Sequence, residues 1–347
     1  MKMIVTKIID DKLLGLIFIS LWILPSMLFS QSLSGDAGIG NPSMYSIHSV
    51  KVDPVPISIS VSGYRFGNIP FVQPDIPTGW QMSDHVKYFQ RQNTPNPARV
   101  AVLGGVTIAT GLAINHQMRN AWWSGERGPF HYREAFDYAR NLDKLGHVYG
   151  GYLASFIFYR MTNWTGINES RAVWYGASLG LLFQLYIETQ DGFSTRWGFE
   201  RWDAIGDMMG AALFVARYHY EPLQYFQMKF SYIPSDRLGD GRNAAWTENW
   251  IDDYEGHTYW VSFRAGQFAY DRFDAPSWVR FFNIAGGWSL GPMREHTEFY
   301  LGLDWNFEAL PGSNWLLRRL WEGLDHIRFP APAVRIRPYG VWYGIYI

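Results

Sequence analysis

Asp143, Lys144 and His147 place a carboxylate, an ammonium and an imidazole in one short stretch. Asp143 and His147 are four residues apart and share one face of a helix. Glu188, Asp203 and Asp207 follow at the edges of later apolar segments. An imidazole among carboxylates can hold a divalent metal through nitrogen and oxygen ligands. It can also act as a general base oriented by a carboxylate, with Lys144 stabilising developing negative charge. A third outcome involves no reaction: Lys144 and the acids form a satisfied ion network that fixes helix register. Asp143 and Asp203 would in that case also favour the positive ends of their helices. Residue types alone leave all three open, and they specify neither a metal nor any other cofactor.

The segments carrying these side chains are built alike. Gly146, Gly150 and Ala154 form a small-residue ridge behind the first, and Ala172, Gly176, Gly180, Gln184 and Glu188 recur every fourth residue in the second. Gly206, Gly210 and Ala211 follow Asp203 and Asp207 in the third. Helices are expected over about 98–118, 131–161, 169–189 and 200–219. Short connectors favour antiparallel neighbours, so the last three run up, down and up. The start of the first, the end of the second and the start of the third then meet. Asp143, Lys144, His147, Glu188, Asp203 and Asp207 are thereby predicted to converge at one end of a bundle. His116, near the end of the 98–118 helix, belongs either at that same end or on an exposed helix terminus.

Gly176-Ala177-Ser178-Leu179-Gly180 matches the G-x-S-x-G pattern, with Asp203 and His219 in hydrolase order. That motif requires a strand-to-helix elbow, whereas here it lies inside an apolar helix, so it is rejected as a nucleophile.

Beyond Pro222 the period changes from helical to alternating. Glu298–Glu308 and Phe226–Tyr232 are the clearest strands, with looser ones over 258–270, 280–290 and 333–347. Ile57–Ser62 alternates in the same way within a Gly-, Pro- and Ser-rich region, 31–97. The fold class is α+β: a Gly-ridged antiparallel helical bundle, 98–221, inserted in or packed on an amphipathic antiparallel β-sheet or partial β-barrel, 222–347. Staves of an outer-membrane barrel alternate in the same way, with the apolar face toward lipid. The uncharged helix cores, 145–159 and 172–187, are shorter than the ~20 residues of a bilayer span, which favours a buried bundle and leaves one resting in or on a membrane open.

Lys2 and Lys7, the apolar run from Leu13 to Phe29 and then Ser30 look like a secretory signal over 1–30. Aromatic content is 18%, with 17 Trp and 21 Tyr, which suits a lipid–water boundary. A membrane or lipid surface is therefore the expected partner, in the outer membrane or periplasm. The net charge of −1 argues against a nucleic-acid partner. The sequence contains no cysteine, which excludes disulfides, thiolate metal sites and a Cys nucleophile.

Asp143-Lys144-x-x-His147, Glu188-x-x-Asp191-Gly192-Phe193-Ser194, Trp197-Gly198-Phe199 and Trp202-Asp203-x-x-x-Asp207-x-x-Gly210 together resemble an uncharacterised envelope family. It is labelled predicted periplasmic lipoprotein and includes YfiM-like proteins. More distantly the motifs look like VanZ-like membrane proteins, which also pair a D-K-x-x-H helix with later Glu and Asp helices. The stretches Met228–Ser231, Thr258–Ser262 and Phe329–Ala333 resemble the longer, Bacteroidetes-type members. The resemblance implies a cell-envelope location and brings no established reaction. Two departures stand out. With no cysteine this chain lacks the residue that is acylated in a lipoprotein, and Asp207 stands where relatives carry Asn or Asp. The function expected is an envelope protein whose polar cluster locks the bundle. The alternative is an envelope enzyme, of hydrolase or phosphoryl-transfer type, that uses the cluster with or without a divalent metal.

Overall fold

A computed structural model describes residues 94–120, 123, 127–236, 238, 250–312 and 314–347. The signal-like segment 1–30 and the Ile57–Ser62 strand lie outside the described residues. Among those described, seven α-helices and six strands alternate in blocks. Helices α1 (Pro97–Asn120), α2 (Leu142–Trp164), α3 (Glu169–Asp191), α4 (Arg201–His219) and the short α5 (Glu221–Gln224) come first. Then β1 (Phe226–Tyr232), β2 (His257–Phe263), α6 (Ala265–Phe273), β3 (Phe282–Leu290), β4 (Thr297–Trp305), α7 (Trp315–Leu324), β5 (Ala331–Arg337) and β6 (Val341–Tyr346) follow. This is the expected α+β class.

Three boundaries differ from the sequence reading. The helix expected from 131 begins at Leu142, because Ala139, Arg140 and Asn141 have positive φ and break the path before it. The strand expected over 258–270 ends at Phe263 and turns into α6. The stretch 333–347 is a two-strand hairpin, and α7 lies in a region given no element by the periodicity.

Helix α2 is the centre of the bundle. It runs antiparallel to α3, where Gly176 lies against the Tyr159 backbone and Gly180 against that of Ser155. It runs parallel to α4, where Gly210 lies against Val148 and Tyr152 and Gly206 against Lys144 and His147. A Cβ at Gly180 would sit 2.5 Å from the Ser155 nitrogen, and one at Gly210 would sit 2.1 Å from the Val148 carbonyl oxygen. Only a hydrogen in place of a side chain permits these approaches. Gly180→Leu is therefore expected to push α3 off α2 and cost about 1–3 kcal/mol. Thermal denaturation checks this, and an unchanged Tm would mean that the ridge is not a close contact.

The strands form one antiparallel sheet in sequential order β1 to β6. One face carries Met228, Phe230, Tyr259, Trp288 and Leu290, which pack with Tyr149 and Tyr152 of α2 in the main core. Farther from the bundle the same face is apolar and uncovered: Val261, Ile284, Leu301, Leu303, Trp342 and Ile345 are exposed. The opposite face is concave and buried, and it carries Lys229, Ser262, Asn283 and Asp304 beside Trp260 and Tyr300. The sheet is thus polar within and apolar without. Arg328 lies 3.6 Å from the Trp260 ring centroid, and its Nη1 donates to the Tyr346 carbonyl at 3.2 Å. At the β1 edge Phe230 makes an isolated parallel bridge to Ile327: its N–H donates to the His326 carbonyl, and its carbonyl accepts from the Arg328 N–H.

Candidate functional site

The up-down-up order brings all six polar residues to one end of the bundle. Asp143 stands in the first turn of α2, Glu188 in the last turn of α3, and Asp203 in the first turn of α4 with Asp207 one turn on. The intervening motif residues shape the turns that flank this end. Gly198, at φ +132°, occupies a conformation that side chains rarely adopt. The Gly192 carbonyl and the Phe199 N–H bond the backbone of His131 and so tie the 192–199 turn to the segment preceding α2.

His147 is the hub. Its Nδ1 is 3.1 Å from Asp207 Oδ1 and 3.6 Å from Glu188 Oε1. Its Nε2 is 3.8 Å from Asp143 Oδ1 and 3.7 Å from Asp203 Oδ2. Lys144 Nζ closes the far side, 3.0 Å from Asp143 and 2.5 Å from Asp203. Two members escaped the sequence reading. Gln184 Nε2 donates to Asp207 Oδ1 at 3.0 Å, and the Tyr254 hydroxyl donates to Asp143. Gln184 was visible on the α3 ridge but carried no charge to mark it. Tyr254 reaches in from the segment before β2, 111 residues away, and no spacing signals that.

Burial and charge set the protonation pattern. Burial alone would disfavour the imidazolium, but Asp203, Asp207 and Asp143 outweigh it and hold His147 well above its ordinary pKa. Burial pushes Glu188 up to about 9, against the pull of His147, because Asp203 and the other nearby acids act in the same direction as burial. Burial likewise raises Asp203 to about 7. For Asp143, His147 and Lys144 overcome the desolvation and lower its pKa. Lys144, despite burial, is raised by Asp143 and Asp203. At neutral pH the cluster therefore holds two cations, an ionised Asp143 and a neutral Glu188.

What this can do chemically follows from that pattern. Asp143, His147 and Asp203, or His147, Glu188 and Asp207, each offer three ligand atoms within 4.8 Å of one another. A metal in either set would have to displace the imidazolium proton, and one held by Asp143 and Asp203 would also have to tolerate the Lys144 ammonium beside both. A protonated His147 is no general base. Among the described residues Asp207 Oδ2 is buried without a hydrogen-bond partner.

The other motif residues lie apart. His116 is exposed on α1. Ser178 sits in mid-α3, and Asp203 and His219 are at opposite ends of α4. No Ser-His-Asp constellation forms among them. No curated protein and no solved structure matches this chain. The part of the chain that builds the cluster, residues 134–219, does match one family of envelope proteins, whose description is predicted periplasmic lipoprotein (DUF2279).

Proposed function

We propose that this is an exported, membrane-associated envelope protein without a reaction of its own at the His147 cluster, and that the cluster locks three helices and the sheet's leading segment together. One observation carries this reading. The cluster's contacts reach across elements: Lys144 ties α2 to α4, His147 ties α2 to α3 and α4, Gln184 ties α3 to α4, and Tyr254 ties the segment before β2 to α2, while Asp143 holds Lys144 and His147 within α2. The protonated state of His147 supports it further, since a fixed cation among acids suits a lock better than a base.

Membrane association is supported by apolar surface on separate elements. Ile108 and Leu112 are exposed on α1, Trp174, Tyr175 and Leu182 on α3, and Met209 on α4, besides the outer sheet face. The α1 stretch Pro97–His116 is long and apolar enough to cross a membrane. Exposed apolar side chains on several elements suit an interaction face. The protein is expected to fractionate with the outer membrane, and to do so without its first 30 residues. Recovery in the cytosol with that segment intact would overturn the placement.

A double-mutant cycle tests the lock. His147→Ala and Glu188→Ala are expected to be non-additive by about 0.5–3 kcal/mol, because removing either leaves the other unsatisfied. The second reading, a divalent-metal site, is favoured by the unpartnered Asp207 Oδ2 and the converging ligand atoms. Chelator distinguishes the two. Coupling that persists in excess EDTA supports the lock, and coupling that appears only with added Zn²⁺ or Mn²⁺ supports the metal.

A further inference from the structure

Tyr159 is 12 residues beyond His147 on α2, about 18 Å at the helical rise. There the bundle, Arg264 and Arg280 on either side of α6, and the segment 308–326 line a cavity of about 510 Å³. That is the size of a small-molecule site. Its walls combine two chemistries. Phe156, Phe214, Tyr218 and Trp321 give it an apolar side. Arg160, Arg217, Arg264, Arg280 and Arg318 line it against only three acids, Glu169, Glu308 and Glu322.

The pairing of these charges is uneven. Arg160 is matched by Glu322 at 2.9 Å, and Arg264 by Glu308 at 3.0 Å and Asp325 at 2.8 Å. Arg217, Arg280 and Arg318 have no carboxylate partner among the described residues. Arg217 bonds the Tyr152 hydroxyl at 2.7 Å and the backbone carbonyls of Gln224 and Phe226. Arg280 Nε donates to Gln267 Oε1 at 2.8 Å, and Arg318 Nε donates to the Gly312 carbonyl at 3.3 Å. Three of the five guanidinium groups that line the chamber, those of Arg217, Arg280 and Arg318, are thus held by neutral acceptors alone.

The wall also holds one unmet acceptor. His326 is buried, and its Nδ1 is 3.0 Å from the Glu322 carbonyl oxygen. A carbonyl can only accept, so Nδ1 carries the proton of the neutral ring and Nε2 presents a lone pair. Burial favours that neutral form. Nε2 is buried with no hydrogen-bond partner among the described residues. A ligand that satisfies these walls brings an anion for the arginines, a hydroxyl for Nε2 and tolerance of an aromatic side.

We propose that this cavity binds a phosphate monoester of a polyol, its dianionic phosphate held by Arg217, Arg280 and Arg318 and a hydroxyl donated to His326 Nε2. Guanidinium forks match phosphate oxygens in pairs, and a dianion answers the arginines that lack a carboxylate. The same head-group chemistry, a phosphate monoester beside a free hydroxyl, occurs on a soluble sugar or glycerol phosphate and on a lysophosphatidic-acid-type lipid. The site is separate from the His147 cluster, and the proposal stands or falls independently of the lock.

The test uses the full chain in non-ionic detergent, titrated by calorimetry and thermal shift. The probes are glycerol 3-phosphate, inorganic phosphate, hexanoyl lysophosphatidic acid and hexanoyl lysophosphatidylcholine. Glycerol 3-phosphate and the lysophosphatidic acid are expected to bind and raise the Tm. Inorganic phosphate should bind more weakly for want of the hydroxyl. Arg280→Gln combined with Arg318→Gln should weaken binding by at least about tenfold, as expected for lost charge-assisted bonds, with an unchanged ligand-free Tm. If the double variant is unstable, Arg318→Gln alone decides, because Arg318 is exposed at the mouth and its loss leaves the interior packing intact. Lysophosphatidic acid binding more tightly than glycerol 3-phosphate identifies a lipid source, and equal binding a soluble one. Absence of binding by both, undiminished binding by the variant, or lysophosphatidylcholine binding as tightly as lysophosphatidic acid would overturn the proposal.

Discussion

Replacing Lys229 by Met is expected to cost about 3–5 kcal/mol, the loss typical of an ion-paired group removed from a protein interior. Lys229 is fully buried in β1, on the concave face of the sheet. Its ammonium is 2.9 Å from Asp304, 3.1 Å from Asp325 and 2.6 Å from the Trp305 carbonyl. Asp325 keeps a second cation, Arg264, at 2.8 Å. Among the described residues no second cation pairs with Asp304, which accepts from Ser262 Oγ at 2.6 Å and Asn283 Nδ2 at 3.4 Å. Without Lys229 a carboxylate would be left in the interior uncompensated. Lys229→Met with Asp304→Asn removes charge and countercharge together and should recover much of the loss. Urea denaturation at neutral pH measures both. A single variant within about 1 kcal/mol of wild type, the range of an exposed ion pair, would show that the concave face is open to solvent.

The Lys229 network shows where sequence periodicity ran short. The alternation in Phe226–Tyr232 correctly placed Gln227, Lys229 and Ser231 on one face and the aromatics on the other. In an ordinary soluble sheet the polar face is the wet one. Here curling reverses that: Gln227 and Lys229 are fully buried, while Trp342 is 68% and Ile345 75% exposed on the apolar side. What chooses between the two senses is the rest of the sheet. Asp304 and Asp325 neutralise Lys229 from 75 and 96 residues away in the chain, Arg264 shares Asp325 with it, and no local pattern records such partners.

The His147 cluster was more legible because its geometry is local. Four-residue spacing fixes which side chains share a helix face, and short connectors fix which ends meet. The glycines contributed as well: Gly180 and Gly210 mark where α3 and α4 touch α2, and these contacts set the register that brings Glu188 and Asp203 to His147. The arginine-lined cavity was not legible at all. Its arginines come from α2, α4, the segment 264–280 and α7, and nothing in their spacing marks them as a set.

The same cluster sets the sign of the protein's response to pH. Glu188 ionises near 4.5 when unfolded and near 9 when folded. Between those values the folded chain retains a proton that the unfolded chain has released, so stability falls as pH rises. His147 acts in the same direction. Its folded pKa lies well above 6.5, so its contribution is complete below that pH and is lost as pH rises toward the folded value. Asp203, raised to about 7, adds a similar decline between 3.8 and 7. Asp143, lowered by His147 and Lys144, is different: its stabilisation is lost only as pH falls below the ordinary carboxylate range. Above neutrality each retained proton contributes a slope of about 1.4 kcal/mol per pH unit. Glu188→Gln substitutes a permanently neutral side chain of nearly the same shape and deletes one such slope. Wild type and variant should therefore have similar urea midpoints at pH 5 and diverge steadily toward pH 9, the variant being the more stable. Parallel curves over that range would mean that Glu188 is ionised in the folded protein, and the lock would then need a further cation, the outcome that the metal reading requires.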